Sequence, residues 1–146
     1  MNIKTISAAV ILSALTIGAI VQNGNAQTMK QPSAVTSSYK LSSVNAPTTG
    51  TLEIVGKADG TSVARLRNLK TEAGPDLHVY LYAASLPGKT AKDVKAVKYI
   101  DLGKLSAPFK GNFEYKIPAK TDLHQFKSLI IWCDVASVVF AGANLN

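Results

Sequence analysis

Gly74-Pro75-Asp76-Leu77-His78-Val79-Tyr80-Leu81-Tyr82 is a rigid turn followed by an alternating strand. Pro75 fixes φ at the second turn position, and Asp76 tolerates the third. Leu77, Val79 and Leu81 then face one side and His78, Tyr80 and Tyr82 the other, the period-2 signature of a strand. The same pattern recurs on both sides of this stretch. Residues 51–55 read as a strand closed by the turn Asp59-Gly60, and residues 62–66 alternate apolar with polar. Residues 97–102 and 112–117 read as two more strands, the latter ended by Pro118. The apolar runs 129–135 and 138–143 carry β-branched and aromatic residues on both faces, as central strands do. Residues 86–96 read as a loop with one helical turn, since Thr90 and Asp93 have capping-box spacing, and 121–126 as a short capped turn. Seven to eight short strands with almost no helix signal predict an all-β fold, a β-sandwich or a partly open β-barrel.

Ahead of these strands lie two segments of different character. Residues 1–26 read as a cleaved signal peptide. Lys4 supplies the positive start, residues 6–21 are an uncharged and mostly apolar run, and Gly24-Asn25-Ala26 offers small residues to a signal peptidase. The run is shorter than the roughly 20 residues of a membrane span, and no basic stop-transfer cluster follows it. No cysteine adjoins the cleavage site, which excludes a lipid anchor there. Export to the periplasm or the cell exterior is therefore expected, with no membrane span after cleavage. Residues 27–47 are rich in Ser, Thr, Gln, Asn and Pro, lack acidic residues and read as a flexible arm. Tyr39 and Leu41 are its two anchors to the body. Residues 48–146 form the β domain.

Composition narrows the function classes. Among 146 residues there is one cysteine, Cys133, so an internal disulfide and any multi-cysteine zinc or iron–sulfur site are excluded. The formal charge of +7 is a basic excess. Only two arginines are present, however, and the lysines do not interleave with aromatics, so nucleic acid is not an expected partner. Lys89, Lys92, Lys95 and Lys98 make the densest basic run, broken by Asp93. It reads as a solvated face, or as a weak attraction for an acidic partner.

Candidate chemistry gathers on a few residues. Strand parity places Cys133 with Leu129 and Ile131, and Trp132 on the opposite face. A lone strand cysteine is either a packed small hydrophobe or a redox thiol. Its neighbour Asp134 has the wrong sign to activate a thiolate. His78 stands beside the rigid turn, on the polar-aromatic face with Tyr80 and Tyr82 and close to Asp76. It is either a bonded strand histidine or a site residue. His78, His124 and Cys133 give the census of a two-His, one-Cys copper site, yet no His or Met follows Cys133 as such sites require. There is no nucleophile elbow, phosphate loop or dinucleotide fingerprint, so no local motif encodes a stand-alone enzyme.

The order and spacing of five segments are similar to the DM13 domain. They are Gly74-Pro75-Asp76-Leu77-His78-Val79-Tyr80-Leu81, Tyr99-Ile100-Asp101-Leu102-Gly103-Lys104-Leu105, residues 112–118, Ser128-Leu129-Ile130-Ile131-Trp132-Cys133, and Ser137-Val138-Val139-Phe140-Ala141 through Leu145. The resemblance spans residues 48–145, with Gly74, Pro75, Asp76 and Trp132 in its most diagnostic blocks. It departs at Ser106-Ala107-Pro108-Phe109-Lys110, where the family usually has a Gly/Asn/Gln-rich loop, and at Phe113-Glu114-Tyr115, where Gln-Asn-Tyr is usual. The resemblance implies a β-rich extracytoplasmic module for electron transfer or redox modification. Cys133 would serve as a thiol or as ligand to a prosthetic group such as haem, with His78 as second participant. The implied partner is a redox protein or an envelope or surface protein. The alternative is a non-catalytic envelope or surface binding module in which Cys133 is merely packed.

Overall fold

The computed structural model describes residues 34–146, with side chains from residue 37 onward; the signal segment 1–26 and arm residues 27–33 lie outside the described residues. Nine strands form among the described residues: β1 (Ala34–Lys40), β2 (Ser42–Ser43), β3 (Thr49–Gly56), β4 (Ser62–Lys70), β5 (Leu77–Tyr82), β6 (Tyr99–Leu105), β7 (Lys110–Ile117), β8 (Ser128–Cys133) and β9 (Val138–Asn144). They pair antiparallel in two sheets, of order β1-β3-β4-β7 and β2-β9-β8-β5-β6. Neither sheet closes on itself, so the architecture is a β-sandwich and not a barrel. Single 3-10 turns at Val94–Ala96 and Leu123–Gln125 sit where the sequence predicted short helical turns. In the second, the Asp122 side chain accepts from the His124 backbone N–H as a cap.

The alternation read in β5 sets up the core. Leu77, Val79 and Leu81 join Leu52, Leu66, Leu129, Ile131 and Cys133 in the layer between the sheets. Tyr80, Tyr82, Ile130, Trp132 and Val139 form a second apolar cluster on the outer face of the five-stranded sheet. Val94, Leu86 and Val97 from residues 83–98 pack over that cluster, which explains why β8 is buried along its whole length and reads as apolar on both faces. Gly142 permits the tight β8–β9 approach: a Cβ there would lie 2.4 Å from the Leu129 carbonyl oxygen.

The expected flexible arm is corrected over its described part. β1 pairs with β3 and β2 with β9, so residues 34–43 supply an edge strand to each sheet in turn. Leu41, only 3% exposed, plugs the core at the crossing, and the Tyr39 hydroxyl donates to the Leu145 carbonyl at 2.9 Å. The two anchors were legible in the sequence. The strands were not, because an edge strand is held by backbone hydrogen bonds that a Ser/Thr-rich segment makes without apolar periodicity.

Candidate functional site

Two turns end side by side at one end of the five-stranded sheet. The Asp134 N–H donates to the Asp76 carbonyl at 2.9 Å, tying the residue after β8 to the turn before β5. From this end project His78 and Tyr80 of β5, Asp101 and Lys104 of β6, and Trp132 of β8, joined by Asp76, Asp134 and Lys95. A bulge in β5–β6 aims Asp101. Register shifts between Val79 and Tyr80, opposite Gly103 at φ +137°, and the Gly103 N–H donates to Asp101 Oδ1 at 2.9 Å. That leaves Asp101 Oδ2 2.8 Å from His78 Nδ1.

The cluster is an ion network. His78 Nε2 lies 3.4 Å from Asp76 Oδ1, and Lys104 Nζ lies 2.7 Å from the same oxygen. Asp76 Oδ1 is shielded from solvent, with the Lys104 ammonium as its closest partner. Trp132 Nε1 donates to Asp134 Oδ1 at 2.7 Å, and Lys95 Nζ reaches that oxygen at 2.6 Å. Lys104 holds the Asp76 carboxyl below the usual carboxylate range, and Lys95 followed by Trp132 does the same for Asp134. The two lysines are raised in return. Tyr80 stacks on Tyr99 with centroids 4.6 Å apart. Burial, then the charges of Asp134 and Asp101, push its phenol far above the ordinary value. Tyr80 therefore stays a protonated phenol beneath the ion network.

Asp76, His78 and Asp134 bring one potential ligand atom each within 4.8 Å of one another. Two ammonium groups already sit on those carboxylates, so a divalent cation would meet repulsion there. Cys133 does not join the cluster. Its side chain faces the inter-sheet core at 0% exposure, with Leu77 and Val138 opposite it on the neighbouring strands, while His78 lies on the other face opposite Trp132. His124 is an exposed residue of the Leu123–Gln125 turn. The copper census therefore does not converge. A haem on the Cys133 sulfur would have to displace inner-face core side chains, so the residues do not fit that group either.

A family model described as "Electron transfer DM13" matches residues 40–145. The chain belongs to the DM13 family. No curated protein and no solved structure gives a match. In this DM13 domain the Gly-Pro-Asp and Trp-Cys blocks meet at one end of a single sheet, which accounts for Asp76, His78 and Trp132 as neighbours. Gly74 packs against Leu77 and Phe140, where an added Cβ would lie 2.6 Å from Leu77 Cδ2. Sequence reasoning missed Asp101, Lys95 and Lys104, and it treated Asp134 only as an unfavourable neighbour of the thiol. Asp101 lies within a family segment and Asp134 directly follows another, so proximity to those blocks was the available signal.

Proposed function

We propose that this DM13 domain is an exported redox or electron-transfer accessory module with Cys133 as its candidate redox residue, reached by a partner only when β8 opens locally. Electron transfer is the description of the family itself. The observation that carries the finer reading is the strand position of Cys133: wholly buried, yet adjacent to Trp132, whose indole N–H meets Asp134 in the charged outer cluster. Attack on a disulfide needs an accessible thiolate, usually near a cation or a helix N-terminus. Cys133 has apolar cross-strand partners instead. The outer cluster offers a surface of mixed charge for a redox protein or an envelope protein. Export is supported by the form of residues 1–26. Among the described residues no helix is long and apolar enough to cross a membrane.

The complete burial of Cys133 also favours a second reading, a non-catalytic envelope or surface binding module with a packed cysteine. Film voltammetry of the purified protein and of Cys133→Ser, with visible spectra in both oxidation states, separates the two. A reversible signal in the parent that Cys133→Ser lacks supports electron exchange. A colourless protein whose electrochemistry is unchanged by Cys133→Ser supports the binding module and sinks the first reading.

A further inference from the structure

The chain has one tryptophan and five tyrosines, which after a thiol are the side chains that give up a single electron most readily. Tyr80, Tyr82, Tyr99 and Trp132 lie together on the outer face of the five-stranded sheet. An oxidised phenol or indole becomes strongly acidic, so what separates these rings chemically is whether a base stands beside the ring proton. Tyr39 and Tyr115 donate to the carbonyls of Leu145 and Lys104, which keep no proton at neutral pH. Tyr82 has its phenol raised by burial alone, with no carboxylate acting on it.

Trp132 and Tyr80 differ from the rest because they share one carboxylate. The Trp132 indole N–H donates to Asp134 Oδ1 at 2.7 Å. Burial comes first in holding the Tyr80 proton, and Asp134 follows, by its charge and as an acceptor for the hydroxyl. Both rings are dry, at 2% and 1% exposure, under Leu86, Val94 and Val97, so a radical formed there is shielded from solvent. Asp134 itself is half-buried and reaches solvent beside Lys95, which gives a proton taken from either ring a way out. Tyr99 links the pair to the surface: it is partly exposed and stacks on Tyr80 with ring centroids 4.6 Å apart.

We propose that Trp132 and Tyr80 form a one-electron redox pair with Asp134 as their common proton acceptor, and that a metal-centred electron carrier meets the pair at the Tyr99 edge. In the oxidising step one electron leaves the ring for the carrier's metal, which is reduced. The indole N–H or the phenol O–H breaks and its proton bonds to an Asp134 oxygen, leaving a neutral radical beside a carboxylic acid. A reduced carrier of the same class returns the electron to the ring, and the proton goes back to its nitrogen or oxygen. The inference rests on the electron-transfer description of the family and leaves Cys133 out of the path.

Flash photolysis of the purified protein with a ruthenium tris-bipyridine oxidant and an irreversible cobalt quencher tests it. Transient absorption and electron paramagnetic resonance tell an indolyl from a tyrosyl radical, and Tyr80→Phe and Asp134→Asn keep the shape of the side chain they replace. The parent should show both neutral radicals, and Tyr80→Phe the indolyl alone. Asp134→Asn still accepts from the indole but cannot take its proton, so the radical yield should fall about tenfold, the size of one charge-assisted hydrogen bond. Cys133→Ala should give the parent's radicals at the parent's yield. A parent lacking either radical, a tyrosyl signal that persists in Tyr80→Phe, or an unchanged yield in Asp134→Asn would each overturn the proposal. Radicals that vanish in Cys133→Ala would overturn it too, while leaving the Cys133 reading standing.

Discussion

Replacing Cys133 by serine keeps the shape of the side chain and changes one atom from sulfur to oxygen. The structure makes that change costly. Cys133 is 0% exposed, faces the layer between the sheets, and has Leu77 and Val138 opposite it on the flanking strands. A serine hydroxyl there would be buried among apolar side chains, and an unsatisfied buried hydroxyl costs about 1–3 kcal/mol. A dry site bounded by apolar strands belongs in the upper half of that range, about 2–3 kcal/mol. At about 4 °C per kcal/mol for a domain of this size, Tm should fall by about 8–12 °C. Cys133→Ala instead leaves a void of one heavy atom, worth about 1 kcal/mol and about 4 °C. Calorimetric melts of the parent and both variants read the ordering directly: parent, then alanine, then serine. The native thiol should also react with a thiol reagent only through opening of β8, slower than a free cysteine by a factor of about 10³ or more. A serine variant as stable as the parent, or more stable than alanine, would refute the reasoning, because the hydroxyl would then have a polar partner or water.

Alkaline titration should destabilise the fold. Burial raises the phenols of Tyr80, Tyr82 and Tyr115, the last from 10.0 to about 12, so the folded state holds these protons longer than the unfolded chain. Stability is then intact below pH 10 and lost as pH rises; Tyr115 alone accounts for a loss on the order of 2 kcal/mol by pH 12. Urea midpoints measured across that window check the slope, and Tyr115→Phe should flatten it. On the acid side the sign reverses for Asp134, whose folded pKa lies below 3.8. Its contribution is present above that pH and lost as pH falls further, so Asp134→Asn should show a shallower acid limb and a shifted Trp132 fluorescence maximum. Trp132→Phe removes the indole donor to the Asp134 carboxylate and leaves a void in the outer cluster, and should cost about 2–3 kcal/mol. Gly142→Ala should fail to accumulate as folded protein, because its Cβ would meet the Leu129 carbonyl and the Ile130 Cα, backbone atoms that cannot yield.

Much of the sandwich was readable in period-2 patterns. β5 was delimited to the residue, because a Gly-Pro-Asp turn starts it and its alternation is unbroken. The opposite faces of Cys133 and Trp132 followed from the same parity. β6 was displaced, predicted over 97–102 and found at Tyr99–Leu105, because Gly103 interrupts the apolar pattern while serving as the bulge that lets the strand continue. β1 and β2 were invisible because their Ser/Thr-rich stretch carries no apolar period, whereas the other edge strands, β6 and β7, send Ile100, Leu102, Tyr115 and Ile117 to the core and so show one. The ion cluster was half legible. Asp76 and His78 stood out beside their turn, but their partners come from β6, the Val94–Ala96 turn and the residue after β8. Only strand pairing could bring those together, and pairing is a long-range choice that no local window contains.

The two faces of β8 place different demands on any redox role. On the inner face the Cys133 thiol has no base beside it, so loss of an electron and of a proton cannot both occur locally without opening the core. On the outer face Trp132, Tyr80 and Tyr99 are packed together and rimmed by Asp134, Asp101 and His78. Those groups can accept or relay a proton. Polar groups of this kind are costly to hold at a sheet surface that is otherwise apolar, and here each carboxylate is matched to a lysine or to His78. An inner thiol that packs and an outer indole that donates to Asp134 explain why the Trp-Cys pair reads as one block. Adjacent residues on a strand necessarily serve opposite faces, so one block secures the core with Cys133 and builds the exposed cluster with Trp132.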